Sequence, residues 1–188
     1  MEPKIGIALS GGGVKGFAHL GVLKALEEKG IEADILAGIS AGAIVGAFIA
    51  AGKKPTEVME LINENDFFDF AKLGIPDRGI FTLDNMTENL EKSLGAKTFE
   101  ELKIPFYVGA ANIEKARMEY FSSGELVKII QASSSIPVLF SPVEINGDLY
   151  VDGGLFENLP VNPLINKCDK LIAVNVMPVN LEEKMESI

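Results

Sequence analysis

Two glycine-framed segments near the N-terminus have the residue types and the spacing that acyl-transfer chemistry requires. The first segment, Ser10–Gly16, contains three successive glycines and follows an apolar run. The second, Gly38–Gly42, reads Gly-Ile-Ser-Ala-Gly, with Ser40 between the two glycines. Each segment ends a predicted strand and opens a predicted helix. Together they predict an anion-binding loop beside an activated serine.

The serine segment predicts a nucleophile. In a Gly-x-Ser-x-Gly pattern, the flanking Gly38 and Gly42 permit a sharp strand-to-helix turn that presents the Ser40 hydroxyl. The helix that begins at Ala41 directs the positive end of its dipole at that hydroxyl. Taken alone, Ser40 fits a helix N-cap as well as it fits a nucleophile. The neighbouring glycine loop favours the nucleophile.

The glycine loop predicts an oxyanion hole, because successive backbone N–H groups at the start of a helix can hold the anion of a tetrahedral intermediate. Lys15 is expected either to add positive potential there or simply to cover the helix end, and Gly16 is expected to support the turn. The same glycines match a dinucleotide-binding fingerprint, which needs an acidic residue at the far end of the next strand. Asp34 lies at the beginning of that strand, so this alternative is rejected. The predicted donors are Gly11, Gly12, Gly13 and Val14.

A serine nucleophile needs a base, and the chain contains one histidine, His19, inside the helix that follows the glycine loop. A Ser-His-Asp hydrolase of the usual chain order needs a histidine after the serine, so we interpret His19 as a helix-packing or supporting residue. Asp152, which ends an apolar strand before Gly153 and Gly154, is the predicted base. An ordinary Asp-Gly turn is the alternative. Because an unperturbed aspartate is a weak base, we expect Asp152 to be partly desolvated and hydrogen-bonded to Ser40.

With its glycine loop, its Gly-x-Ser-x-Gly segment and its Asp-Gly-Gly segment in this order, the chain resembles the patatin-like phospholipase family over nearly its whole length. The resemblance implies a three-layer α/β/α sandwich with a mainly parallel central sheet, Ser40 as nucleophile, Asp152 as base and the glycine loop as oxyanion hole. The supporting residues are Lys15, Gly16, Gly38, Ala41, Gly42, Gly153 and Gly154. The segments that carry the resemblance are Gly11–Gly16, Gly38–Gly42, Ala132–Pro137, Asp152–Gly154 and Asn158–Val161.

The resemblance further implies hydrolysis of fatty-acyl esters of lipids, of the phospholipase A, lysophospholipase or carboxylesterase type, with no cofactor. The alternative is a catalytically weak lipid- or acyl-binding regulatory module with the same fold. Relatives commonly continue past the last strand, so residues 1–188 are expected to form a single domain that lacks a C-terminal helical extension. Head-group preference, acyl-chain length and oligomeric state do not follow from the sequence.

Alternating strands and helices in the first half predict a parallel sheet, and Asn146-Gly147 predicts a hairpin. The predicted strands are Ile5–Leu9, Asp34–Gly38, Phe106–Ala111, Met118–Phe121, Val143–Ile145, Asp148–Val151 and Leu171–Val176. The predicted helices are Val14–Lys29, Ala41–Ala51, one that starts at Pro55, Leu83–Leu94 and Glu125–Ser134. Ser133–Ser135 is expected to end a helix near the site. An apolar group is expected to form a satellite core, with a lid or an acyl-chain entrance as the alternative. This group comprises Phe67, Phe68, Phe70 and Leu73.

Composition limits the partners of this protein. The net charge of -10 and the pI near 4.6 argue against a nucleic-acid partner and against electrostatic attraction to anionic membranes. Any contact with a membrane surface is therefore expected to be transient and mainly hydrophobic. The single cysteine, Cys168, excludes an intrachain disulfide and favours a reduced, cytoplasmic setting. No group of residues has metal-ligand spacing, so no metal is expected.

Overall fold

The computed structural model describes residues 3–65 and 83–178. Within these ranges the chain forms one seven-stranded sheet and five α-helices. The strands are β1 (Ile5–Leu9), β2 (Ile35–Gly38), β3 (Phe106–Asn112), β4 (Arg117–Phe121), β5 (Val143–Ile145), β6 (Asp148–Asp152) and β7 (Lys170–Val174). The helices are α1 (Phe17–Glu27), α2 (Ala41–Ala50), α3 (Pro55–Asn65), α4 (Asp84–Leu94) and α5 (Leu126–Ser134). Short 3-10 helices cover Gly13–Gly16, Phe99–Glu101, Gly153–Leu155 and Asn162–Leu164.

The sheet has the strand order β5-β6-β3-β2-β1-β7, with β4 also paired to β3. The β1–β2, β1–β7 and β2–β3 pairs are parallel. Strand β3 pairs in antiparallel orientation with β4 and with β6, and β5 and β6 form an antiparallel hairpin. The predicted α/β class is therefore confirmed, with the parallel strands gathered at the β7 end and the antiparallel strands at the other.

The two faces of the sheet are covered unequally. Ile7, Leu9 and Leu36 join a large core cluster to which all five helices contribute. The alternate strand residues, such as Ala8 and Ala37, face a small cluster around Leu164. This alternation follows from the two-residue period of a strand. Within the described ranges, the second outer layer is thus thin and is formed by the Asn162–Leu164 turn and the chain beside it.

The register of the sheet makes the ends of β2 and β6 converge. On β3, Val108 pairs with Gly38, the last residue of β2. Two residues further along β3, Ala110 pairs with Asp152, the last residue of β6. Since β6 runs antiparallel to β3 whereas β2 runs parallel to it, the two carboxyl ends point at each other. The strand ends of the serine and aspartate motifs therefore meet beside one central strand.

The predicted strands and helices agree with the structure to within a few residues, and two differences have physical causes. The predicted helix from Val14 to Lys29 begins with a 3-10 turn, because Gly13 has a positive φ of 54° and the α-helical path starts only at Phe17. The last strand stops at Val174 rather than Val176, because the Val176 N–H donates to the Ser10 hydroxyl, at 3.0 Å, instead of joining the sheet. The apolar group that comprises Phe67, Phe68, Phe70 and Leu73 lies outside the described residues.

Candidate active site

Ser40 occupies a strained turn between β2 and α2. Its φ of 53° and ψ of -122° are unusual for a residue with a side chain, and such conformations cost about 1–3 kcal/mol. Its side chain makes no capping hydrogen bond to α2, although it stands at the N-cap position. The N-cap alternative is therefore wrong for the hydroxyl, which is left available for chemistry. Ala41 begins α2, so the positive end of that helix lies beside Ser40.

The two glycines that flank Ser40 are required by close backbone approach. A Cβ on Gly38 would lie 2.4 Å from the Gly42 carbonyl oxygen. A Cβ on Gly42 would lie 2.3 Å from the Leu9 carbonyl oxygen, on the first strand. Both distances are far inside van der Waals contact with backbone atoms, which have little freedom to move. The Gly-x-Ser-x-Gly pattern is thus the steric condition for bringing the start of α2 against β1.

Asp152 ends β6 as a buried carboxylate. Its Oδ1 accepts a hydrogen bond from the Gly154 N–H at 2.8 Å, so the residue does form an Asp-Gly turn as well. Burial raises the pKa of the Asp152 carboxyl above its ordinary value, and hydrogen bonds from the Ser40 hydroxyl and the Gly154 N–H offset part of that rise. A raised pKa makes the carboxylate a stronger base than an exposed aspartate.

The carboxyl end of α5 holds the backbone of both Ser40 and Asp152. The Ser133 Oγ accepts a hydrogen bond from the Ser40 N–H at 2.9 Å and donates to the Gly109 carbonyl at 2.7 Å. The Ser135 carbonyl accepts from the Asp152 N–H at 2.8 Å. The prediction that Ser133–Ser135 ends a helix near the site is confirmed. The side-chain role of Ser133 had no signal in the sequence beyond its place in that segment.

The glycine loop offers its backbone N–H groups unequally. The Gly11 N–H donates to the Asn158 carbonyl at 3.1 Å, so it is the one predicted donor that is already paired. Within the described part of the chain, the N–H groups of Gly12, Gly13 and Val14 have no acceptor. These three groups begin the 3-10 turn that leads into α1 and remain available for an anion.

One open cleft brings the predicted residues together. It has a volume of about 500 Å³ and combines the glycine loop, the serine turn and the aspartate turn. Lys15 is the basic residue in its lining. The other lining residues are Gly11, Gly12, Gly13, Ser40, Ile136, Asp152, Gly154, Asn158 and Met177. Gly16 lies in the 3-10 turn behind the loop, and Gly153 packs against the Gly109 carbonyl, which a Cβ there would approach to 2.8 Å.

Sequence reasoning missed three residues of this cleft. Asn158 binds Gly11 twice, since its carbonyl accepts from the Gly11 N–H and its Nδ2 donates to the Gly11 carbonyl at 3.3 Å. It belongs to the Asn158–Val161 segment that carries the resemblance, which was the available signal. Ile136 is in another such segment. Met177 follows the last strand and had no signal in the sequence.

His19 supports the loop from behind. It is fully buried, and its Nε2 lies 2.8 Å from the Ser10 carbonyl oxygen, to which the protonated nitrogen donates. Burial lowers the pKa of the His19 imidazole below its ordinary value, and the hydrogen bond to the Ser10 carbonyl offsets part of that change. Its Nδ1 has no partner among the described residues. The predicted supporting role agrees with this geometry, in which His19 holds the residue that precedes the glycines.

The dinucleotide alternative also finds no support in the geometry. Asp34 would have to stand at the carboxyl end of β2, beside the glycine loop. Its carboxylate instead accepts a hydrogen bond from the N–H of Ile5, the first residue of β1, at 2.6 Å. The acidic residue therefore lies at the end of the parallel strands that is opposite the loop.

The fold and the cleft together define an α/β protein whose serine is presented on a strand-to-helix turn. The model of the patatin-like phospholipase family matches residues 7–165 of this chain. The chain belongs to that family.

Two relatives show how the chain compares in length. Lysophospholipase nte1 of Aspergillus fumigatus is 34% identical over 182 residues, which cover 92% of this chain and 12% of the fungal protein. An uncharacterised NTE family protein of Mycobacterium bovis is 31% identical over 178 residues, which cover 93% of this chain and 49% of the relative. The chain therefore spans half or less of the length of either relative.

Among solved structures, VipD from Legionella pneumophila has a TM-score of 0.63 at 20% identity. The match covers 85% of this chain and 47% of VipD. At this identity the likeness concerns the fold alone, which is patatin-like. None of the helices in the described ranges combines the length and the apolar character needed to span a bilayer.

Proposed function

We propose that this chain is a serine acyl hydrolase that cleaves fatty-acyl esters of lipids with a Ser40–Asp152 dyad. The observation that carries the proposal is a single cleft whose lining includes the strained Ser40, the buried Asp152 and two glycines, Gly12 and Gly13, whose N–H groups have no acceptor among the described residues. The family of the chain and the printed name of its fungal relative, a lysophospholipase, favour a lipid ester as substrate.

In the first half of the reaction, Asp152 accepts the Ser40 proton while the Ser40 Oγ attacks the ester carbonyl carbon. The N–H groups of Gly12, Gly13 and Val14 bind the oxyanion that develops. The tetrahedral intermediate then collapses, the bond to the alcohol oxygen breaks, and Asp152 returns its proton to that leaving oxygen. The product of this half is an acyl-enzyme on Ser40 and a free alcohol.

In the second half, Asp152 acts as base toward water, which attacks the acyl carbonyl. The same donors stabilise the second oxyanion, and the proton passes from Asp152 to the Ser40 Oγ as the fatty acid leaves. Each oxyanion donor of this kind contributes about 3–4 kcal/mol when it can be removed singly. The cationic side chain of Lys15 adds favourable potential for both oxyanions. No step requires a metal or an organic cofactor.

The test compares wild type with Ser40→Ala and Asp152→Asn on p-nitrophenyl esters of short and medium acyl chains. Both substitutions are expected to abolish turnover, and a fluorophosphonate probe is expected to label Ser40 in the wild type. Ser134→Ala is the matched control, because the Ser134 Oγ is buried and has no partner among the described residues. An inert wild type that resists the probe would indicate the acyl-binding module instead. Full activity in Asp152→Asn would mean that the base is a different group.

A further inference from the structure

Six of the seven large apolar side chains that are more than 40% exposed in the described ranges lie within three positions of a residue that lines the cleft, or line it themselves. Val14 lies between Gly13 and Lys15, which both line the cleft, and Met177 lines the cleft itself. Leu155 and Phe156 follow Gly154 directly, and Val138 and Leu139 follow Ile136 within three residues. Each of these six side chains is more than 40% exposed. We call them the apolar rim: Val14, Val138, Leu139, Leu155, Phe156 and Met177.

Val138 is the most distinctive member of the apolar rim. It is 89% exposed, more than any other large hydrophobic side chain in the described ranges. Its φ of 74° is rare for a β-branched residue, for which the left-handed region is strained. Strained conformations of this kind concentrate at functional sites, because the surrounding structure must hold them in place. Pro137 restricts the backbone just before it.

The segment that carries Val138 is free of charge. No aspartate, glutamate, lysine or arginine occurs between Lys128 and Glu144, although such residues make up 23% of the chain. A protein with a net charge of -10 gains nothing electrostatically from an anionic surface. An uncharged, exposed apolar segment beside the cleft matches a surface that has no net charge and an apolar layer beneath it.

We propose that the apolar rim docks on the surface of zwitterionic lipid aggregates, with Val138 and Leu139 inserted among the acyl chains. This inference rests on the proposed function, and it assigns to that site a preference for aggregated over monomeric substrate. Insertion transfers apolar area from water to hydrocarbon, which is favourable in proportion to the area buried. The same contact holds the mouth of the cleft against the layer in which ester bonds lie.

Binding is measured first, with vesicles of phosphatidylcholine and the Ser40→Ala background, so that no lipid is consumed. Leu139→Ser and Val138→Asn are each expected to lower vesicle affinity about tenfold, which corresponds to about 1.4 kcal/mol. Asparagine tolerates a positive φ, so Val138→Asn removes the apolar group and keeps the backbone. Leu171→Ser is the matched control, because Leu171 is 40% exposed but pairs with Gly6, at the opposite end of the parallel strands. It is expected to bind like the background.

A second readout places a probe in the chain, which contains no tryptophan. Leu139→Trp is expected to shift its emission to shorter wavelength on addition of vesicles, and Leu171→Trp is not. Equal vesicle affinity in all variants, binding to anionic vesicles alone, or concentration-dependent dimerisation that Leu139→Ser abolishes would each overturn the docking proposal.

Hydrolysis separates this proposal from the proposed function. With Ser40 restored, Leu139→Ser is expected to hydrolyse a water-soluble short-chain ester at the wild-type rate and vesicle lipid about tenfold more slowly. If wild type cleaves both substrates and Leu139→Ser retains both rates, the docking proposal fails alone. If wild type cleaves neither substrate while the apolar rim still binds vesicles, the proposed function fails and the docking surface stands.

Discussion

Replacement of Ser133 by alanine tests whether the end of α5 holds the serine turn in its reactive shape. The hydroxyl makes two buried hydrogen bonds, to the Ser40 N–H and to the Gly109 carbonyl. Ser133→Ala leaves the Ser40 N–H without a partner, which costs about 1–3 kcal/mol. The Gly109 carbonyl loses the same hydroxyl as a partner, while Gly109 itself stays in β3 in register with Tyr120. We therefore expect the free energy of unfolding to fall by about 2 kcal/mol.

The same substitution is expected to slow catalysis, although Ser133 does not line the cleft. The strained φ of Ser40 is held partly by its N–H bond to Ser133. If about 1.4 kcal/mol of that restraint is lost from the reactive geometry, kcat falls about tenfold. Because the lost contact does not involve the substrate, KM is expected to stay close to the wild-type value.

The assay combines urea denaturation with steady-state hydrolysis of p-nitrophenyl butyrate. Ser134→Ala, one residue along the same helix, is the control, because the Ser134 Oγ is buried and unpartnered among the described residues. Its removal leaves no group unsatisfied, so stability and kcat should be nearly unchanged. Equal losses in the two variants, or an unchanged kcat in a destabilised Ser133→Ala, would refute the reasoning.

Two other substitutions test the turn and the base. Gly42→Ala places a Cβ 2.3 Å from a backbone oxygen and should prevent stable folding, which thermal denaturation measures. Gly21→Ala is the control, because a Cβ there has nothing within 4 Å, and it should be neutral or stabilising. Equal melting temperatures in the two variants would contradict the steric argument. The raised pKa of Asp152 should place the acid limb of kcat/KM above the ordinary aspartate value, because the base must be ionised and activity is lost as pH falls through that pKa. A carboxyl group whose pKa is raised on folding stabilises the folded state only at low pH, and this stabilisation is lost as the pH rises through the folded-state pKa. Asp152→Asn should therefore be inactive yet more stable than wild type at pH 7. An acid limb at the ordinary value, or a less stable Asp152→Asn, would count against a desolvated base.

The sequence by itself determined the local features of this protein. Residues 38–42 predicted a tight strand-to-helix turn, because such a turn requires glycines on both sides of the serine. This requirement involves only a few neighbouring residues, so the sequence alone shows it. The Asn146-Gly147 hairpin was equally local, since both residues adopt the positive φ that such a turn needs. Asp152 followed from its place at the end of an apolar strand and from the lack of a suitable histidine.

Only the tertiary structure decided how these local features meet. Asn158 pairs with the N–H of Gly11 across 147 residues of chain, which removes one predicted oxyanion donor. Ser133 reaches the Ser40 N–H across 93 residues. The ends of β2 and β6 face each other because both pair with β3, and strand register depends on contacts distant in sequence. Periodicity and turn chemistry act over a few residues, so they specify each element but not the partner to which its free backbone groups are bound.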